Sequence, residues 1–154
     1  GARWLYVANF NKAMDNSIAV AKYEMTALPS VAEARLYSTG SRGPVFLYAT
    51  EKDIYSFDYA GSREAVKINE PFGANEVITA MKVYKPYATT NRLNEADGTL
   101  LYVATWDGAE GRLYEFSLNE TNGYLRDKTP LEVFDGMGRI VDFCFKVQGT
   151  GTGS

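Results

Sequence analysis

Acids, amides and one tryptophan gather in short polar stretches of this chain, and theirs are the side chains whose types could do chemistry. The stretches hold Asn9, Asn11, Lys12, Asp15 and Asn16, then Glu51, Lys52 and Asp53, then Asn75 and Glu76, then Trp106, Asp107 and Glu110, and finally Arg139 behind Gly138. An indole beside carboxylates and amides is what sugar recognition needs, because the ring face stacks on C–H groups while fixed polar groups read hydroxyls. Paired carboxylates could also serve hydrolysis, but that work needs a set separation that spacing in sequence does not supply. Other chemistries are excluded by composition. Histidine is absent, which removes the Ser-His-Asp triad, the Cys-His dyad and every histidine-bearing zinc or haem site.

The single cysteine, Cys144, has no partner for an internal disulfide. Its alternation with Phe143 and Phe145 predicts a small core residue. Asp142 aligns with Thr79 and is read as a structural hydrogen-bonding group on an inner strand. Nothing in the chain has the spaced Asp/Asn run of a calcium loop, so no metal is expected. Gly136-Met137-Gly138 lacks a third glycine and a following helix, and no phosphate-binding Gly-Lys-Ser/Thr loop occurs, so no cofactor is expected either.

Charge and length narrow the partners. Sixteen Lys and Arg stand against 19 Asp and Glu, a net −3 that gives no basic field for a phosphate backbone. No nucleic-acid partner is therefore expected. No apolar run reaches the roughly 18 residues that would make a transmembrane helix, and Gly1-Ala2-Arg3-Trp4 carries no signal-peptide pattern. The 154 residues are enough for one domain with a sizeable core.

The elements that would position these residues repeat. Trp4-Leu5-Tyr6-Val7-Ala8-Asn9, Phe46-Leu47-Tyr48-Ala49-Thr50 and Leu101-Tyr102-Val103-Ala104-Thr105 are versions of one motif. Each is followed by a second: Val20-Ala21-Lys22-Tyr23-Glu24-Met25, Ile54-Tyr55-Ser56-Phe57-Asp58-Tyr59 and Leu113-Tyr114-Glu115-Phe116-Ser117-Leu118. Their period of two predicts strands with one face packed and the other wetter. A third element, Gly73 to Met81, matches Gly136 to Cys144 without a gap. Weaker apolar runs, Ala65-Val66-Lys67-Ile68 and Leu131-Glu132-Val133-Phe134, lie before it. Turns fall at Pro29-Ser30, Gly40 to Pro44, Gly61-Ser62, Lys85 to Thr99 and Asn122-Gly123. One segment reads two ways. Met14, Ile18, Ala21 and Met25 lie at helical offsets, yet the register match to the later copies predicts a strand there.

Four short strands per unit, recurring with aromatic signatures, predict an all-β chain forming a portion of a β-propeller. It would comprise about two and a half to three four-stranded antiparallel blades, the rings of this class having about 4 to 8. Residues 1–148 would be this partial propeller and 149–154 a flexible tail. Exposed strand edges imply that the chain is part of a larger propeller or associates to cover them. A β-sandwich is the alternative; it explains the alternation but not the repeated motif. In a propeller, the polar stretches would share one rim, where loops on a rigid scaffold carry function. The ligand-binding candidates are Asn9, Asn11, Asp15, Glu51, Asp53, Asn75, Glu76, Trp106, Asp107, Glu110 and Arg139. The competing reading makes Trp106 a packed loop anchor and the charges ordinary surface.

The last repeat carries a family resemblance. Leu101 to Thr105, Gly111-Arg112-Leu113-Tyr114-Glu115-Phe116, Asn122-Gly123-Tyr124-Leu125 and Gly138 to Lys146 together resemble the C-terminal end of the PKD-like lipoproteins of Bacteroidetes. Phe46 to Asp58 looks like that family's preceding blade, so the resemblance covers most of residues 45–146. It implies a lipid-anchored, extracytoplasmic protein of the periplasm or outer-membrane surface, ending in a propeller of which this chain is the last part. Its implied partners are glycans or outer-membrane uptake components and the rest of the propeller. The family supplies no catalytic motif, so a binding or scaffolding role is expected rather than an enzyme. Two rivals stand beside it. Leu5-Tyr6-Val7-Ala8-Asn9 followed by Ile18-Ala19-Val20 is similar to blades of 6-phosphogluconolactonase-type proteins, which would make rim acids such as Asp107 and Glu110 matter for lactone turnover. The other rival is a pure protein-interaction module.

Overall fold

A computed structural model of the chain describes residues 4–11, 17–24, 35–38, 45–58, 64–84, 98–119 and 121–146, with side chains from residue 46 onward. Every regular element among them is a strand: β1 (Trp4–Asn11), β2 (Ser17–Glu24), β3 (Arg35–Ser38), β4 (Val45–Ala49), β5 (Ile54–Asp58), β6 (Ala65–Lys67), β7 (Val77–Tyr84), β8 (Leu100–Trp106), β9 (Gly111–Ser117) and β10 (Glu132–Met137). All pairings are antiparallel. Strands β1 and β2 form a hairpin, β3 to β6 a four-stranded sheet in chain order, and β7 to β10 a second one. Chain order within each sheet means simple meanders, which short hairpin turns suffice to build.

The two four-stranded sheets pack face to face. Leu47 and Ala49 of β4, Ile54 of β5 and Ile68 just after β6 meet Met81 of β7, Leu101 and Val103 of β8, and Phe116 and Leu118 at the end of β9. The β4 and β8 members sit at alternate positions, because successive side chains leave a strand on opposite faces. Burying each of these side chains contributes roughly 1.5–3 kcal/mol relative to leaving it in water. Polar ties reinforce the contact. The Ile78 N–H donates to the Glu51 carbonyl at 2.6 Å, and Ser56 Oγ donates to the Asn122 carbonyl at 2.7 Å. Strand β3 lies against β7, so the first strands of the two sheets are neighbours.

Each sheet also has a face turned away from this core. On the β3–β6 sheet, Tyr48 is buried there and stacks on its cross-strand partner Tyr55, with centroids 5.2 Å apart. On the β7–β10 sheet the corresponding face carries Lys82, Tyr84 and Tyr102, and Tyr102 donates its hydroxyl proton to Glu115 at 2.5 Å. Residues 138–146 cross that face without joining a strand. The Phe145 ring lies 4.7 Å from Tyr84 and 5.1 Å from Tyr102, while Lys82 pairs with Asp142 at 3.1 Å and sits over the Phe143 ring.

The expected elements are present at β1, β2, β4 to β6 and β7 to β10. Residues 17–24 form a strand rather than the competing helix. Four expectations need correcting. The third element repeats as strand β7 but not at Gly136 to Cys144, because among the described residues no strand pairs with residues 138–146. Cys144 is for the same reason exposed rather than a core residue, and Asp142 is an exposed partner of Lys82. Tyr48 and Tyr102, aligned as equivalent, both turn away from the shared core. Where sheet follows sheet they therefore face opposite directions, since a slip of one residue exchanges the faces of a strand. The turns expected at 29–30, 40–44 and 61–62, most of the 85–99 loop, and the tail lie outside the described residues.

Candidate functional site

Loop segments converge at one end of the two sheets. The β4–β5 turn closes with the Thr50 N–H donating to the Asp53 carbonyl at 2.8 Å, and the β8–β9 turn closes likewise from Asp107 to Glu110 at 3.2 Å. The residue opening each turn secures it with its side chain. Thr50 Oγ1 accepts from the Asp53 N–H, and Asp107 Oδ1 accepts from the N–H groups of Ala109 and Glu110 at 2.8 and 2.7 Å. Gly108 supplies the left-handed conformation this second turn requires, at φ +99°. Between the turns runs the 68–76 connection. Lys52 Nζ donates to the Ala74 carbonyl at 2.7 Å, and buried Asn69 accepts from the Ile54 N–H while donating to the Lys52 and Glu70 carbonyls.

Arg112, projecting from the start of β9, stands at the centre of this end. Its Nη1 lies 2.8 Å from Asp107 Oδ2 and 3.2 Å from Glu76 Oε1, and its Nη2 lies 2.7 Å from Glu110 Oε2. Glu76 is only 6% exposed. Its Oε1 also accepts from Tyr114 Oη at 2.7 Å and Thr105 Oγ1 at 3.0 Å, and its Oε2 accepts from the Gly73 N–H at 2.5 Å. Glu110 Oε1 takes the Gly136 N–H, which ties β10 into the network. Three carboxylates around one guanidinium thus join the 73–76 turn, the β8–β9 turn and the end of β10.

The charges follow from these contacts. Burial pushes the Glu76 carboxyl up, but hydrogen bonds from Tyr114, Gly73 and Thr105 and the Arg112 charge outweigh it, and the net shift is downward. The Arg112 hydrogen bond, with the N–H groups of Glu110 and Ala109, lowers Asp107 to about 2. Burial, and then the hydrogen bond to Glu76 with that group's charge, raise Tyr114 to about 12. Both acids bind a proton more weakly folded than unfolded, so their contribution is complete above the ordinary carboxylate range and is lost as pH falls through the folded values. The melting temperature should therefore drop between pH 4 and pH 2, the window bounded by the ordinary Asp value of 3.8 and the folded value of about 2. In Arg112→Gln that drop should shrink, because the largest cause of the Asp107 shift is gone. Thermal melts of both chains across this pH range check it.

Neither the family models, nor the curated proteins, nor the solved structures contain a match to this chain. Its site is therefore read from its own geometry.

The structure brings Glu76, Asp107 and Glu110 together, with Trp106 in the same β8 end opposite Val77. Glu51 and Asn75 lie exposed on the neighbouring turns, Arg139 is exposed just beyond β10, and Asp53 pairs with Lys67 at 3.0 Å. Asn9 and Asn11 are strand residues, opposite Ala19 and Ser17, rather than loop residues, because β1 continues through them. Asp15, with Lys12 and Asn16, lies outside the described residues. Sequence reasoning left out Arg112, Thr105 and Tyr114, which organise the cluster. Their positions in the repeat, on one face of β8 and β9 at the turn end, carried the signal. A general acid works best with a pKa near the operating pH. Glu76 and Asp107 are shifted away from it and saturated with donors, so the arrangement is suited to holding loops in place.

Proposed function

We propose that this chain is a binding module made of consecutive propeller blades, and that the loop end organised by Arg112 is its ligand surface. The observation that carries it is the joining of the 50–53, 73–76, 107–110 and 136–139 segments at one end through hydrogen bonds and ion pairs. Support for the propeller comes from two meanders in chain order, the second following the fourth strand of the first, with their first strands adjacent. A sandwich gives no reason for that succession. The Arg112 network fixes the loops before any ligand arrives, which lowers the ordering cost of binding. Glu51, Asn75, Arg139 and part-exposed Trp106 remain as groups able to meet a ligand.

Glycans are the ligand class we favour. An indole at the same end as an exposed carboxylate, Glu51, and an exposed amide, Asn75, suits a sugar, offering a stacking surface and acceptors together. The resemblance of residues 45–146 to PKD-like lipoproteins adds the setting: an extracytoplasmic, lipid-anchored parent working beside outer-membrane glycan uptake. A glycan array followed by calorimetric titration with its best binder tests the reading. Trp106→Ala should weaken that affinity at least about tenfold, equivalent to 1.4 kcal/mol, with an unchanged far-ultraviolet circular dichroism spectrum. An array with no binder, or an unaffected Trp106→Ala, would remove the carbohydrate role.

A further inference from the structure

Asparagine precedes glycine at a single place in this chain, Asn122-Gly123, and every other asparagine is followed by a residue with a side chain. At such a pair the backbone can attack the preceding side chain, because glycine has no Cβ to shield its nitrogen. The pair lies in the turn that follows β9, beyond the end of that strand farther from Arg112. Asn122 is exposed, whereas Gly123 is buried and holds a left-handed φ of +71°. Backbone and side-chain hydrogen bonds close the turn. The Gly123 N–H donates to the Asn119 carbonyl at 2.8 Å and the Asn119 N–H to the Tyr124 carbonyl at 2.8 Å, while Asn122 Oδ1 accepts from the Tyr124 N–H at 2.9 Å.

The same turn ties the two sheets together. The Asn122 carbonyl accepts from Ser56 Oγ of β5 at 2.7 Å, and Ser56 is buried. On either side of the turn Leu118 bridges to Leu125, the first fully buried and the second packed against the shared core. The Arg126 N–H donates to the Ser117 carbonyl at 2.9 Å. The turn is thus pinned at both ends and again at Asn122. Two acid–glycine pairs among the described residues could close the same kind of ring, and both are restrained. Asp107, before Gly108, is an ionised carboxylate held by Arg112, which makes it a poor electrophile. Gly136, after Asp135, has its N–H bound to Glu110 Oε1.

We propose that Asn122 is a deamidation site, and that the Asn119–Gly123 hydrogen bond sets its rate in the folded chain. The Gly123 nitrogen, after losing its proton to hydroxide, attacks Asn122 Cγ. The N–Cγ bond forms, the Cγ–Nδ2 bond breaks, and Nδ2 takes a proton from water and leaves as ammonia. A second water opens the cyclic imide. Opening at Cγ gives aspartate; opening at the Asn122 carbonyl carbon gives isoaspartate, whose main chain runs through Cβ and Cγ. Water is the only co-reactant. In the folded chain the Gly123 amide proton is buried and engaged by the Asn119 carbonyl, so ring closure waits for the turn to open locally. Isoaspartate then lengthens the main chain by one carbon between the pins at Leu118 and Leu125. It also turns the carbonyl that Ser56 holds into a branching carboxylate. The turn no longer fits between its pins with the Ser56 bond in place.

The experiment ages the 154-residue chain at mildly alkaline pH, in buffer and in denaturing urea. Its peptides are then weighed and labelled with an isoaspartate-specific methyltransferase. In urea, Asn122 should gain the mass of an amide turned acid ahead of every other asparagine, with isoaspartate formed beside aspartate. In buffer the conversion should be at least about tenfold slower, by the same factor that protects the Gly123 amide from hydrogen exchange, because one opening controls both. Asn122→Gln, which would have to close a larger ring, should stay unconverted at that position. The isoaspartyl chain, separated by ion exchange, should exchange its Asn119 and Arg126 amides at least about tenfold faster than the fresh chain. Asn122→Asp leaves the main chain unaltered and should keep the fresh chain's protection. Conversion in urea no faster at Asn122 than at the other asparagines would overturn the site. A folded rate equal to the unfolded one would overturn the control by the Asn119–Gly123 bond. Unchanged exchange in the isoaspartyl chain would overturn the consequence for the tie between the sheets. The glycan titration reads the opposite end of β9 and is independent of all three.

Discussion

Glu76→Ala is expected to lower the stability of the chain by about 3–5 kcal/mol, the range for breaking a buried ion network from one side. The carboxylate is 6% exposed and serves four donors: Arg112, Tyr114, Thr105 and the Gly73 N–H. Thr105 is fully buried, so its hydroxyl loses a partner that water cannot easily replace. Each buried donor left unsatisfied costs about 1–3 kcal/mol. Arg112 suffers less, because Asp107 and Glu110 still face it. That difference separates charge from hydrogen bonding as the source of the loss. Glu76→Gln keeps the shape and one acceptor oxygen but turns the other into a donor, which cannot receive the proton it faces. It should lose about 1–2 kcal/mol, between wild type and alanine. Urea unfolding of the three chains at neutral pH, followed by circular dichroism, gives the ranking. Equal stability of Glu76→Ala and wild type would mean that the network does not hold the loops.

How much of this was legible in the sequence follows from the range over which each feature is encoded. Hairpins β4–β5 and β8–β9 are local. A period of two flanks a four-residue turn opened by Thr50 or Asp107, and both signals lie within about a dozen residues. Strand β3 was missed because Arg35-Leu36-Tyr37-Ser38 is too short to show alternation; β4 alone gives it an address. The matching tyrosines misled for a related reason: in a period of two, Tyr48 and Tyr102 look alike in either phase, and the core decides the phase. The site was half legible. Acids at 76, 107 and 110 stood out by type, but Arg112 lies 36 residues from Glu76 and reads as an ordinary polar position of a strand. Asn9 and Asn11 resembled loop residues because amides favour turns, yet backbone pairing with β2 outweighs that preference. Nothing local could show that Cys144 stays exposed, since burial depends on what packs over residues 138–146 and not on their own alternation.

Gly111→Ala should be nearly as damaging as the loss of Glu76, by a route involving no charge. Gly111 opens β9, opposite Trp106 of β8 on one side and Met137 of β10 on the other. A Cβ built there would run into the Gly138 carbonyl oxygen, with the Gly138 carbonyl carbon at 3.0 Å and the Met137 oxygen at 3.3 Å. All three atoms are backbone, so no side-chain rotation relieves the overlap. The end of β10 must move away from β9, and the Gly136 N–H then leaves Glu110. Overpacking of this kind costs about 1–3 kcal/mol, and the lost pairing and hydrogen bond add about 1 kcal/mol more. Gly138→Ala is the contrasting control, because a Cβ at that position meets nothing within 4 Å. Hydrogen exchange locates the effect: protection should fall at residues 132–137 in Gly111→Ala and hold at β4 and β5, whose contacts the substitution does not touch. Uniform loss across both sheets would instead mean that β10 is part of one cooperative unit with the shared core. A stable Gly111→Ala chain would show that residues 137–138 can withdraw without loosening the Arg112 network, and the loop end would then be less rigid than its ion pairs imply.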